Sequence, residues 1–92
     1  MDATTLDALK SKLRRLVPES IADAIAELKK ALPDFSPKYN PLILLESRLN
    51  DANLKNVQNL LSDAELQIEY NQIRADLLLL IDSLEERDFQ MI

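Results

Sequence analysis

The sequence predicts an all-α protein, a four-helix bundle built from two antiparallel helical hairpins. Apolar residues recur at spacings of three and four in four successive segments, which is the period of an amphipathic helix. The chain has no Gly and only 4 Pro, so few residues interrupt these segments. No segment shows the alternation of apolar and polar residues that is typical of a strand. A six-helix death-like fold is disfavoured, because only four periodic segments are present.

The first helix is predicted over residues 5–17. Thr4 or Thr5 can cap its N-terminus with a side-chain oxygen. Pro18 should end it, because proline lacks an amide donor and disfavours a helical residue before it. Its apolar stripe consists of Leu6, Leu9, Leu13 and Leu16.

The second helix is predicted to follow at once and to run to about Leu32. Ser20 and Asp23 form a capping pair at its start. Its apolar stripe consists of Ile21, Ile25, Leu28 and Leu32. Residues 33–40 then form the main loop, which separates the two predicted hairpins.

The third helix has two possible starts. Ser36-Pro37 and Asn40-Pro41 each place a capping residue before a proline at the first helical position, and we expect the start near Pro37. Asn59 stands where the helix should end, and Asn is the residue after Gly that best tolerates the left-handed conformation found there. The predicted buried stripe is Leu42, Leu45, Leu49 and Ala52, with Val57 and Leu60 or Leu61 further along.

The fourth helix is expected to begin after Ser62, with Glu65 reaching back to complete a capping box. Its stripe is Leu66, Tyr70, Ile73, Leu77, Leu80 and Leu84. Leu78, Leu79 and Ile81 make the segment Leu77–Ile81 apolar nearly all round. Either this is the central and most buried helix, in contact with the other three, or one of its sides is exposed and binds a partner.

Composition limits the class of protein. A single domain is expected over residues 1–92, and the 47% apolar content excludes a disordered tail. The absence of Cys suits a reducing compartment, so we expect a cytoplasmic location. The first residues lack a signal peptide, and the longest apolar run falls short of the roughly 20 residues that span a bilayer. No membrane association is therefore expected.

The residue types also argue against catalysis and against binding of metals, cofactors or nucleic acid. Without His or Cys there is no zinc site, and without Gly there is no Gly-rich phosphate loop. The net charge of −5 argues against binding to nucleic acid. We therefore expect no catalytic residues, no cofactor and no metal, and a protein that is not an enzyme.

The charge differs between the two halves of the chain. Residues 1–40 carry a net charge of +1 and residues 41–92 a net charge of −6. Both halves can be ordinary solvated surfaces. Alternatively, Arg14 and Arg15 on the first helix meet the acidic end of the fourth helix, including Asp82 and Glu85, on a neighbouring copy. Such a contact joins two different surfaces, so it would form a head-to-tail homo-oligomer.

Polar residues on the fourth helix have two interpretations. Asn71 is expected to bond a loop backbone, and Arg48 is also expected to be structural. Arg74 either pairs with Glu46 or another acid of the third helix, or serves as an interface anchor. A second partner-binding surface is predicted along one side of the helix, at spacings of four, four and three, formed by Arg74, Leu78, Asp82 and Glu85.

Several short motifs occur in a characteristic order between residues 39 and 74. They are Tyr39-Asn40, the Leu44-Leu45-x-Ser47-Arg48-Leu49-Asn50 segment, Ser62-x-x-Glu65 and Asn71-x-Ile73-Arg74. In this order and spacing the chain resembles the bacterial effector-associated domains, specifically the type numbered eleven. The resemblance, with a weaker match in the first two helices, covers most of the chain.

The resemblance implies a function in protein recruitment. It describes a small helical adaptor of prokaryotic conflict systems, which couples its host protein to effectors through a partner that carries a similar helical domain. Met1 looks native, so we expect the N-terminal module of a larger protein or a whole small adaptor. The alternative is a free-standing helical homodimer with a structural or regulatory role. An inhibitor that mimics acidic surfaces is a weaker third possibility.

Overall fold

A computed structural model describes residues 1–90 of the chain and contains four α-helices. They are α1 (Ala3–Glu19), α2 (Ile21–Ala31), α3 (Tyr39–Val57) and α4 (Asp63–Asp82). A short 3-10 helix, Glu86–Phe89, follows α4. No strand is present among residues 1–90, so the predicted all-α four-helix bundle is confirmed.

Neighbouring helices pack in a ring, α1 against α2, α2 against α3, α3 against α4 and α4 against α1. In the second hairpin, Arg48 pairs with Asp76 and Asn53 pairs with Tyr70, so α3 and α4 run antiparallel. α4 packs mainly against its two neighbours in this ring, α1 and α3.

The core fills the space between the four helices. Leu13, Leu28, Leu42, Ile73 and Leu77 are completely buried. On α1, Leu9 and Leu16 are only partly buried, while Val17 contributes to the centre. The other core residues include Leu6, Ile21, Ala24, Ile25, Leu32, Leu45, Leu49, Ala52, Leu66, Leu80, Ile81 and Leu84. The predicted stripes of all four helices are therefore largely confirmed.

Two details at the ends of α1 differ from the prediction. Asp2, rather than Thr4 or Thr5, caps the helix, because its carboxylate accepts the Thr5 amide at 2.8 Å. That hydrogen bond lowers the pKa of Asp2 below 3.8. Pro18 lies inside the last turn and does not end the helix, since a proline at this position removes only one late hydrogen bond.

Ser20 makes the break between α1 and α2. Its backbone is extended, so the single residue ends one helix and caps the next. The Ser20 amide still donates to the Leu16 carbonyl at 2.7 Å, and its Oγ accepts the Asp23 amide at 3.2 Å. The predicted cap at Ser20 is confirmed.

The start of α3 lies at Tyr39, two residues after the expected Pro37. Before it, the buried Ser36 organises a turn, because its Oγ accepts the Lys38 amide at 3.2 Å and its carbonyl accepts the Tyr39 amide at 3.0 Å. Pro41 falls within the first turn of α3, where its missing amide has no helical acceptor to lose.

The connection from α3 to α4 follows the predicted chemistry. Asn59 adopts a left-handed conformation with φ of 56°, and Ser62 and Glu65 form the capping box. Val57 and Leu60 are exposed, however, so their assignment to the core is wrong, and Leu61 is only partly buried. The 11-residue α2 is about half as long as α3 and α4. It therefore does not reach the α3–α4 connection, where it could have covered Val57 and Leu60.

Candidate interaction surface

Large exposed apolar side chains concentrate on the second hairpin. Of the eight among residues 1–90, six lie on α3, on α4 or on the connection between them. Scattered single apolar residues are normal on a protein surface, whereas a local concentration of them marks a site of interaction. The six are Leu44, Leu54, Val57, Leu60, Ile68 and Leu79.

Four of the six belong to two exposed stripes, one on each helix of the hairpin. The stripe on α3 is Leu44, Ser47, Asp51 and Leu54, at spacings of three, four and three. The stripe on α4 is Ile68, Gln72, Asp76 and Leu79, at spacings of four, four and three. All eight residues are exposed, and we call the surface that they form the outer face.

An open groove of about 630 Å³ lies between α3 and α4 on this face. Buried Leu45 and Leu80 form its base, and exposed Leu44 forms part of its wall. Arg48 Nη1 crosses from α3 to Asp76 Oδ2 on α4 at 2.6 Å. The remaining residues along the groove are Pro41, Ser47 and Asp51.

Opposite charges lie side by side around the middle of the outer face. Arg48 pairs with Asp76 across the groove, and Lys55 pairs with Asp51 at 3.1 Å one turn away along α3. The hydrogen bond to Asp51, with the negative charges of Asp51 and Glu69, raises the pKa of Lys55 above 10.5. The groove therefore combines an apolar base and apolar ends with a middle in which Arg48 and Lys55 lie beside Asp51, Glu69 and Asp76.

Comparison with known protein families tests the resemblance seen in the sequence. The model of effector-associated domain 11 matches residues 8–85, a segment that reaches into all four helices. The chain belongs to the effector-associated domain 11 family. No curated protein and no solved structure matches it.

Members of this family are small helical domains associated with effector systems, and the family is not a known catalytic one. Among residues 1–90, no three His, Cys, Asp or Glu side chains lie close enough together to hold a metal ion. None of the helices in that part of the chain combines the length and apolar character that crossing a membrane requires.

The structure of the effector-associated domain brings two of the predicted contact residues together. Arg14 on α1 and Asp82 at the end of α4 form an ion pair at 2.7 Å within one chain. Arg15, its neighbour, is exposed and forms no ion pair within residues 1–90. A contact between copies through these residues stays a prediction. Of the two arginines, Arg15 has the side chain that is not already engaged in an ion pair within residues 1–90.

The other predicted flank of α4 is partly covered. Leu78 packs against the core, and Arg74 is half-buried and donates to Asn71 Oδ1 at 2.9 Å. The expected partner of Arg74 on α3, Glu46, instead pairs with Lys29. Glu85 is exposed and pairs with Arg87 at 2.7 Å.

Sequence reasoning missed most of the outer face. Leu79 was recognised as apolar surface beyond the core stripe of α4, but Leu44 was named only within a family motif, and Leu54 and Ile68 were not singled out. A signal was available, since each exposed stripe begins and ends with Leu or Ile and has two polar residues between. That pattern is short, and its meaning depends on the antiparallel pairing of α3 and α4.

Proposed function

We propose that this domain is a non-enzymatic adaptor, which recruits its host protein to an effector or signalling partner in a bacterial conflict system. Its partner carries a similar helical domain, and the contact forms in the cytoplasm. The observation that carries the proposal is the concentration of exposed apolar side chains on the outer face of a domain from an effector-associated family.

Energetics support a binding role for this face. Covering one large apolar side chain contributes roughly 1.5–3 kcal/mol. The four apolar residues of the two stripes can therefore supply much of the binding free energy of a micromolar complex. They are Leu44, Leu54, Ile68 and Leu79. The groove adds shape, because its base lies below exposed walls and can accept side chains from a partner. The ion pairs in its middle favour a partner with complementary charges.

The α4 flank offers a second set of contacts to the same partner. Arg74 and Glu85 keep part of their side chains accessible, and Arg15 lies exposed on α1. Arg74 is held by Asn71 in one geometry, so binding would order little further side-chain motion. We assign these three to the rim of the interaction, together with Leu78, Arg14 and Asp82 as supporting residues.

Capture from the native host tests the adaptor function. The tagged domain should retain a protein that contains both an effector or signalling module and a similar four-helix domain, identified by mass spectrometry. Leu79→Lys should reduce the recovery at least about tenfold, whereas Val57→Lys, at an even more exposed apolar residue away from the stripes, should not. Recovery of metabolic enzymes or nucleic acid alone would contradict the adaptor function.

Arg74→Ala measures the contribution of the α4 flank in the same assay. Loss of more than about 1 kcal/mol of binding would make Arg74 an anchor rather than a rim residue. The melting temperature of each variant must be measured alongside, because Arg74 is half-buried and its neighbour Leu78 packs against the core. An unchanged affinity for Arg74→Ala would confine the interface to the outer face.

The alternative function is a free-standing helical homodimer with a structural or regulatory role. The nearly balanced charge around the middle of the outer face favours it, since two copies can meet there with little repulsion. The gene context discriminates the two functions, because an adaptor should be fused to, or encoded beside, an effector protein.

A further inference from the structure

Building on the proposed adaptor function, we infer that the outer face binds the same face of a second copy of this chain, with the two α3–α4 hairpins stacked about a two-fold axis. The occupant of the groove between α3 and α4 is then the apolar end of the other copy's hairpin. Three properties of the face support this choice of partner: the placement of its apolar residues, its charge and its symmetry.

The apolar residues stand in two pairs at opposite ends of the face. Leu44 lines the groove together with Leu80, so Leu44 and Leu79 lie at one end. Leu54 and Ile68 lie at the other end, since Asn53 bonds Tyr70 there at 2.5 Å. Ten or eleven residues separate the pairs along each helix, or about 15 Å at 1.5 Å per residue.

This arrangement is self-complementary under two-fold symmetry. An axis in the plane of the contact and parallel to the helices places Leu44 of one copy on Leu79 of the other. An axis in that plane but across the helices places Leu44 on Leu54, and Ile68 on Leu79. With either axis, each apolar pair of one copy lies on an apolar pair of the other copy. The contact therefore closes as a dimer rather than extending into a filament.

Charge favours the same contact. Around the middle of the outer face, Arg48 and Lys55 lie beside three acidic groups, Asp51, Glu69 and Asp76, so most of the net charge of −5 resides on the rest of the chain. Two acidic copies therefore repel each other only weakly through this face. In the stacked dimer, Arg48 of each copy approaches Asp76 of the other if the axis runs along the helices, or Asp51 if it runs across them, and so gains a second partner.

Sedimentation equilibrium of the whole chain tests the pairing, with Leu44→Lys and Leu60→Lys as a matched pair. Both leucines are 65% exposed, but only Leu44 lies on the outer face. The wild type should dimerise at or below about 1 mM, and Leu44→Lys should weaken the dimer at least about tenfold. Leu60→Lys should dimerise like the wild type. A monomeric wild type at that concentration, or equal effects of the two variants, would overturn the pairing.

Disulfide trapping gives a second readout that does not depend on stability. The chain has no Cys, so each introduced thiol is unique. A mixture of Leu44→Cys and Leu79→Cys proteins should cross-link if the axis runs along the helices, and a mixture of Leu44→Cys and Leu54→Cys if it runs across them. Either result supports the pairing. A dimer in which neither mixture cross-links better than a Leu44→Cys and Leu60→Cys mixture contradicts it.

The outcomes separate this inference from the adaptor function. A chain that is monomeric yet captures an effector protein with a similar domain leaves the adaptor function standing and overturns the pairing of copies. A dimer that dissociates with Leu44→Lys, from a chain that captures no such protein, supports the pairing and contradicts the adaptor function.

Discussion

Arg14 Nη2 lies 2.7 Å from Asp82 Oδ1 and joins the middle of α1 to the last residue of α4. Arg14 Nε donates to the same oxygen at 3.0 Å, and Lys10 Nζ donates to the Asp82 carbonyl at 3.3 Å. The last turn of α4 has no basic residue of its own, so α1 supplies the positive charge that stabilises this negative end of the helix.

Because this ion pair is within the chain and exposed, its removal should cost little. Arg14→Glu should lower the free energy of unfolding in urea by about 0.2–1 kcal/mol, and adding Asp82→Arg should restore part of it. Arg15→Glu should leave stability unchanged, because Arg15 forms no ion pair within residues 1–90. A large loss of stability from Arg15→Glu would contradict this assignment.

Arg15→Glu is therefore the clean test of a head-to-tail contact between copies through α1. If that contact forms, light scattering should show association that weakens between roughly 50 and 500 mM salt and is lost in Arg15→Glu. Association that is insensitive to salt and to Arg15→Glu, but sensitive to Leu44→Lys, assigns self-contact to the outer face instead.

Two leucines of α4 that lie two positions apart should respond differently to the same substitution. Leu77 is completely buried, so Leu77→Asp places an unpaired carboxylate in the core at a cost of several kcal/mol, comparable with the whole stability of a small domain. Leu79 is 68% exposed, and Leu79→Asp should stay folded. Circular dichroism checks both. A folded Leu77→Asp protein would show that this position is not core.

Replacing the left-handed residue before α4, Asn59, should affect stability differently for Ala and for Gly. Asn59 has φ of 56°, which costs a residue with a Cβ about 1–2 kcal/mol, less for Asn and nothing for Gly. Asn59→Ala should therefore lower the free energy of unfolding by about 1 kcal/mol, and Asn59→Gly should be close to neutral. Urea denaturation measures both variants. Equal destabilisation by Ala and Gly would instead assign the role of Asn59 to its side chain.

The buried carboxylate of Asp88 should matter although it lies beyond the last α-helix. Its Oδ2 accepts the Glu85 amide at 2.8 Å and Lys38 Nζ at 3.2 Å, and its side chain is 1% exposed. Asp88→Ala leaves that amide without its acceptor and should cost about 1–3 kcal/mol in the free energy of unfolding. Glu86→Ala, on an exposed residue of the same 3-10 helix, is the control. Similar melting temperatures for the two variants would contradict the anchoring role.

The contact between α1 and α2 should weaken in acid. A hydrogen bond from Lys12, with the positive charges of Lys12 and Lys30, lowers the pKa of Glu27 below its usual 4.5. The folded state therefore binds fewer protons than the unfolded state near pH 4. The contribution of Glu27 is complete above pH 4.5 and is lost as the pH falls through the lowered pKa.

Urea denaturation of wild type and Glu27→Gln checks this dependence. The wild type should be the more stable protein at neutral pH, and the difference should shrink toward zero as the pH falls through the lowered pKa of Glu27. A difference that stays constant across that range would mean that Glu27 acts through packing and not through charge.

The sequence alone determined the number of helices and most of the core. In each helix one face must leave water, so Leu42, Leu45, Leu49 and Ala52 reveal their burial by spacing alone. The caps at Ser20 and Ser62 and the left-handed Asn59 could also be predicted, because capping and turn chemistry depends on residues next to each other in the chain.

Only the tertiary structure decided which apolar residues remain exposed. Leu60 and Leu44 resemble Leu45 in chemistry, and their exposure follows from the short α2 and from the antiparallel pairing of α3 and α4. The partner of Arg14 likewise required the packing of α1 beside the end of α4. Spacing along one helix shows which residues share a face, but the burial of that face depends on helices that are distant in sequence.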